Sequence, residues 1–299
     1  MSDSHGLNLK EPGTVDFSCI NFFENMKYID KEFAKKLFSV PSCSGFEIRM
    51  LEFLADWANR NQVSWNQDEY GNLYMRKGKR VENKYYPCVC AHLDTVFVDQ
   101  LPLIEVNDRL TIIERNTRRG TEFFAEESGI GGDDKAGILI CLELIKRTPY
   151  IKACFFREEE MGCQGSKNMD VDWFQDVGYV IGWDSPEKNR SAYASAGIAL
   201  FDMDFYEIIK DTCVNHGLTN FKSEPFTDVS EIRKITDRVC MNFGNGGYNL
   251  HRKNEYIVLE ETDESVGFGL DLIELLGHQL YSLPQDSSLT NKLLKYFRK

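Results

Sequence analysis

Five side chains able to bind a metal ion occur in the order His92, Asp133, Glu160, Asp184, His251. Each lies in a distinct short stretch: CAHLDTV (90–96), GIGGDDKAG (129–137), FFREEEMGC (155–163), IGWDSP (181–186) and GGYNLHRKNEY (246–256). Two imidazoles and three carboxylates make a donor set for a pair of adjacent divalent ions, with one carboxylate shared. Such a pair turns water into hydroxide at neutral pH, so the chemistry to expect is hydrolysis.

Taken singly, each stretch has an ordinary alternative. His92 and Asp94 are spaced to share one face of a strand, so Asp94 can orient the imidazole or a neighbour from behind; a strand-end turn would explain the pair as well. Asp133 and Asp134 follow two glycines and repel each other unless a cation is near, yet Asp is also a favoured helix cap. The run Glu158, Glu159, Glu160 ends an apolar segment. It is either a solvated acidic loop or a ligand beside a general base that takes a proton from water. Asp184 alone reads as a surface turn. His251 alone reads as a satisfied polar residue beside glycines that permit close backbone approach.

The elements that must hold these residues are legible in the apolar spacing. Helical periodicity covers 31–39, with Phe33, Leu37 and Phe38 on one side. It resumes from Ile48 through Leu51, Phe53, Leu54 and Trp57, after a turn at 41–47 that could cap this second helix. Residues 63–77 alternate around a turn and predict a hairpin. Short apolar runs at 85–93, 109–115, 152–158 and 178–184 predict strands, and 136–147 predicts a helix packed on a sheet. Further strand is expected at 196–205, helix at 205–216 and a closing amphipathic helix at 261–281. The alternation predicts an α/β fold with a mixed, mainly parallel central sheet flanked by helices. Ligands at the C-terminal ends of several strands match where open α/β sheets place their sites.

The chain has 299 residues, 42% of them hydrophobic, and a net charge of -12, which fits a globular protein and disfavours binding to nucleic acid or an anionic membrane. The basic clusters at 115–119 and 292–299 lack interleaved stacking aromatics and read as solvated surface. The nine cysteines are scattered and contain no CxxC pair, as expected for reduced buried thiols in the cytoplasm. No apolar stretch reaches the length of a membrane span, and the first residues show no secretory signal. The expected organisation is a flexible tail at 1–15 and one catalytic domain over 16–299.

Together the segments resemble the di-zinc exopeptidases of the M20, M28 and M42 type, and among these the peptidase T-like M20 enzymes. The resemblance rests on AHLDTV, GGDDKAGI, EEEMGCQGS and above all GGYNLHRKNEYIVLE, and extends from about residue 41 to about 280. It implies two divalent ions, zinc or else cobalt or manganese. His92 and Asp184 would bind one, Glu160 and His251 the other, and Asp133 would bridge them through a carboxylate that precedes a cis peptide. It implies Glu159 as general base, Asp94 as support for His92, and metal-dependent hydrolysis of amide bonds in small peptides or aminoacyl compounds, foremost as an aminopeptidase. An N-acyl amino acid amidohydrolase and a metal-binding relative without turnover are the alternatives. The interval 185–250 is too short for the lid of M20 enzymes beside its own strands and helices, since a domain needs about 50 residues. Pocket candidates are therefore sought near the matched segments: Tyr193, Phe226, Asp228, Tyr248 and Asn249. A homodimer is an expected partner arrangement.

Overall fold

The computed structural model describes residues 26–284 and 287–297; the expected tail at 1–15 lies outside the described residues. Thirteen strands form two sheets. The larger contains β1 (Ser64–Gln67), β2 (Leu73–Lys77), β3 (Tyr86–His92), β6 (Ile151–Phe156), β7 (Val177–Ser185), β8 (Arg190–Ser195), β9 (Ile198–Ala199), β10 (Asn220–Glu224) and β11 (Cys240–Gly244). Its order is β1-β2-β6-β3-β7-β11-β8-β10, with β9 paired to β8. The central strands β6, β3, β7 and β11 run parallel, as do β8 and β10, while β1, β2 and β9 pair antiparallel, and so do β8 and β11. The expected mixed, mainly parallel sheet is therefore present.

The helices are α1 (Lys31–Phe38), α2 (Ile48–Arg60), α3 (Leu101–Glu105), α4 (Gly132–Arg147), α5 (Gln164–Lys167), α6 (Met203–Asn215), α7 (Asp228–Thr236), α8 (Leu259–Leu276) and α9 (Ser287–Phe297). Successive residues of β7 show how they cover both faces. A Cβ on Gly182 would touch Val229 of α7, whereas the next residue, Trp183, fills the space beside Gly269 of α8. Adjacent strand residues point to opposite faces, so α7 and α8 lie on opposite sides. Every residue of β3 and β6 is accordingly buried. Such two-sided burial explains why these strands read as unbroken apolar runs rather than as alternation.

Three expectations are corrected, and a small second sheet is added to them. The strand expected at 196–205 is only the two-residue β9. Ala196 and Gly197, at φ 49° and 77°, turn a tight hairpin from β8, and Asp202 then caps α6 by accepting from Phe205 N at 2.8 Å. The closing helix stops at Leu276 because Gly277, at φ 59°, leaves helical geometry. The turn before α2 does not cap it with a side chain; Glu47 instead accepts from Arg157 Nη2 at 2.8 Å and Gly45 N at 2.9 Å. Finally, β12 (Gly247–Tyr248) and β13 (Tyr256–Val258) join β5 (Gly120–Ala125) and β4 (Ile112–Thr117) in a separate antiparallel sheet of order β12-β13-β5-β4, which brings residue 251 across to the main sheet. Between Asp184 and His251 the chain forms β8 to β11 of the nine-stranded sheet, α6 packed on α8, α7 packed on β11, and β12 of the small sheet.

Candidate metal centre

Three adjacent parallel strands present their C-terminal ends at one edge. β3 ends on His92, β7 carries Asp184 at its end, and β6 runs into the loop holding Glu158, Glu159 and Glu160. Asp133 comes from the first turn of α4, where its dihedrals (φ -82°, ψ 103°) are not helical and the bond to Asp134 is cis. His251 comes from the loop between β12 and β13 and has φ 62°. Glu158, Cys163 and Asn249 near it share that left-handed conformation, at φ 53°, 56° and 56°. Non-glycine residues in this region cost about 1–3 kcal/mol each and cluster at functional sites.

Asp133 is the centre of the arrangement. Its Oδ1 lies 3.0 Å from His92 Nε2 and its Oδ2 lies 3.0 Å from His251 Nε2. On the first side, Asp184 Oδ1 is 3.7 Å from His92 Nε2; on the second, Glu160 Oε1 is 2.8 Å from His251 Nε2. The shared carboxylate thus has one imidazole and one further carboxylate on each side. Donor atoms around a tetrahedral zinc ion stand about 3.3 Å apart for bonds of about 2.0 Å, so these spacings suit ligands of a common cation. Glu160 Oε1 is also buried, with no partner beyond this close approach to His251. A buried acceptor aimed at an imidazole nitrogen with no other partner is what a bound cation would satisfy. Among the described residues, His92, Asp133 and Glu160 also stand out as a group with donor atoms mutually within 4.8 Å.

The supporting contacts distinguish the neighbours. His92 Nδ1 lies 3.0 Å from the backbone carbonyl of Asp94 and 3.4 Å from its carboxylate, which leaves Nε2 to face Asp133. The Asp94 carboxylate mainly organises the acidic loop, accepting from Glu159 N at 2.9 Å, Glu160 N at 3.2 Å and Ser44 Oγ at 2.7 Å. The three glutamates separate cleanly. Tyr70 draws Glu158 outward with a 2.6 Å bond, Glu160 faces His251, and Glu159 is buried with Cys163 Sγ donating to its Oε1 at 3.4 Å.

The electrostatics express a demand for positive charge. Burial pushes the carboxyls of Asp184, Glu159 and Glu160 up, and the Asp133 charge adds to each shift. Asp133 itself is held well below the usual range: burial opposes its charge, but His251 and His92 outweigh that cost. Between Asp133 and Glu160, the His251 imidazole is pushed up to about 10. So many buried acids are costly unless cations compensate them.

Of the pocket candidates, Tyr193 is corrected: it is buried and stacks on Phe297 at 5.4 Å, so it packs the core beneath α9. Phe226 is exposed, Tyr248 stacks on Tyr256 and donates to Glu261 at 2.6 Å, and Asn249 holds its own loop through Asn254 O at 3.2 Å. Asp228, at the start of α7, is buried; it accepts from Ser166 Oγ at 2.5 Å and repels Glu159. Residue spacing missed three buried polar groups. Glu255 accepts from Gly131 N and Asp133 N, Asn242 accepts from Asp184 N at 2.9 Å, and Asn245 donates to Asp134 at 3.3 Å. Only Glu255 carried a readable sign, an acid set directly before an apolar strand.

No family model and no curated protein matches the chain. Solved structures do. Aminopeptidase PepT from Bacillus cereus ATCC 10987 aligns over 84% of this chain and 99% of its own, with a TM-score of 0.65 at 15% identity. A tripeptidase from Staphylococcus aureus subsp. aureus mu50 aligns over 83% and 98%, with a TM-score of 0.64 at 14% identity. The Pyrococcus horikoshii TET1 peptidase, which can assemble into a tetrahedron or a large octahedral shell, aligns over 83% and 99%, with a TM-score of 0.59 at 15% identity. The chain shares the fold of these peptidases.

Proposed function

We propose that this chain is a metal-dependent hydrolase of amide bonds in small peptides, acting as an aminopeptidase through two divalent cations. The observation that carries the proposal is the Asp133 carboxylate, with one oxygen 3.0 Å from His92 and the other 3.0 Å from His251. His92, Asp133 and Asp184 would hold one cation, and Asp133, Glu160 and His251 the other. Zinc suits this imidazole and carboxylate set, with cobalt or manganese as alternatives. When bound, the pair would lower the pKa of water between them and polarise the amide carbonyl.

The residues supply the rest. Glu159, buried beside both ligand sets, takes a proton from the attacking water and returns it to the leaving nitrogen. Asp94 fixes the Glu159 and Glu160 amides, so the base and a ligand are aimed by one carboxylate. The peptidases that share the fold support an amide substrate with a free amino end. We further read the chain as a catalytic domain without a lid, in the cytoplasm, and as a homo-oligomer, for which the assemblies of the TET1 peptidase are the support.

Zinc-supplemented protein assayed on aminoacyl chromogenic substrates, tripeptides and their N-blocked counterparts tests the reading. Turnover of free-amine substrates alone is expected. Turnover of blocked substrates alone would turn the assignment to an N-acyl amino acid amidohydrolase. Folded, metal-loaded protein that cleaves none of them would leave only a metal-binding role.

A further inference from the structure

We propose that Glu255 is a positioning residue that clamps the turn carrying Asp133 and so sets both halves of the centre; the inference rests on the two-metal reading above. Glu255 is fully buried, and both its carboxylate oxygens are spent on this one turn. Oε2 accepts from Gly131 N at 3.0 Å and Oε1 from Asp133 N at 3.1 Å.

The turn needs an outside hold. The regular part of α4 begins past the kink, where Asp134 Oδ1 caps it by accepting from Gly137 N at 3.0 Å, so the amides of Gly131 and Asp133 lie ahead of that cap and take their acceptor from elsewhere. Because Asp133 has non-helical dihedrals, helix geometry does not aim its carboxylate. The turn is also shaped to receive the segment that brings the clamp. A Cβ on Gly132 would stand 2.2 Å from Ile257 Cδ1, so the bare glycine leaves the space that the Ile257 side chain fills against the turn. Lys135 Nζ gives the turn a second hold, donating to Ile130 O at 3.0 Å and Phe38 O at 3.2 Å.

Chain position makes the clamp specific. Glu255 lies in the same loop as His251, so one segment delivers a ligand for one cation and holds the carboxylate shared by both. Asn242, by contrast, fixes only Asp184, which belongs to one side.

Glu255→Gln keeps the size of the side chain but turns one acceptor into a donor facing a backbone N–H. Zinc titration of metal-stripped, folded protein against a chromogenic chelator reads the consequence, with circular dichroism reporting the fold. Wild type is expected to take up two zinc ions. In Glu255→Gln both binding events should weaken about 10- to 100-fold, the usual effect of losing a partner behind the ligands. Unchanged zinc affinity, or weakening of one event alone, would overturn the clamp while leaving the two-metal reading intact. Protein that cannot be obtained folded with or without zinc would assign Glu255 to folding and also overturn it. Wild type taking up fewer than two zinc ions would instead sink the two-metal reading, and this inference with it.

Discussion

At the scale of single residues, the acidic triplet divides its labour through partners that lie far away in sequence. Tyr70 bonds Glu158, His251 faces Glu160, and Glu159 stays buried between them, as the base we propose would have to. Glu159→Gln should therefore lower turnover about a hundred- to ten-thousand-fold with zinc content unchanged, measured by initial rates beside metal analysis. A variant of near wild-type rate would remove Glu159 from the mechanism. A second test uses charge. In metal-free protein the His251 pKa rises from its ordinary 6.5 to about 10 through Asp133 and Glu160. A raised folded value means that the stabilisation is complete below about 6.5 and is lost as pH climbs through about 10. Urea denaturation of metal-free wild type and His251→Gln should show wild type the more stable at pH 6, with the gap closing by pH 10. A gap that widens with pH would contradict the pairing. The proposed ligands were legible because His92, Glu160 and Asp184 sit where apolar sequence breaks into polar sequence and Asp133 and His251 follow paired glycines. The backbone carbonyl of Asp94 behind His92 was not, since nothing in a side-chain pattern reports a main-chain acceptor.

At the scale of elements, the precision of the site comes from parallel strands whose ends cannot move independently. Asp184 is fixed by Asn242 on the neighbouring β11, and Asn242 in turn donates to Glu224 at 3.3 Å. Asn242→Ala leaves buried groups unpaired, which costs about 1–3 kcal/mol, visible as a lower urea midpoint; an unchanged midpoint would show that the network is idle. The start of α4 is equally tight. A Cβ on Gly137 would stand 2.2 Å from Asp134 Oδ1, so Gly137→Ala should cost about 1–3 kcal/mol in the same experiment and lower turnover by displacing Asp134. Retained stability with full turnover would mean that Asp134 has room to move. Strands β3, β6 and β7 and helix α4 were readable from periodicity alone. The hairpin β8–β9 and the small sheet were not: β9 has two residues and β12 two, too few to establish a period, and their pairing depends on contacts distant in sequence.

For the whole molecule, the main consequence concerns stability. A cation bound by the folded chain alone stabilises it by about 2.7 kcal/mol at a hundred times its dissociation constant. Thermal melts with zinc and with a chelator should differ in that direction, and identical melts would argue against a resident ion. No helix among the described residues is long and apolar enough to cross a membrane, and the eight described cysteines are buried and free of disulfides. The α/β class was legible because two-sided burial leaves its mark on central strands. The route of the chain from the large sheet to the small one was not, because His251 reaches the centre through pairing of β13 with β5.

That route has a temporal side. His92, Asp133 and Asp184 stand on β3, α4 and β7, which pack on one another, whereas His251 follows only after β8, β9, β10 and β11 have been laid down. A growing polypeptide thus carries four of the five proposed donors while the codon for His251 is still unread. The Asp133 carboxylate can meet its second imidazole only once the loop between β12 and β13 has been made.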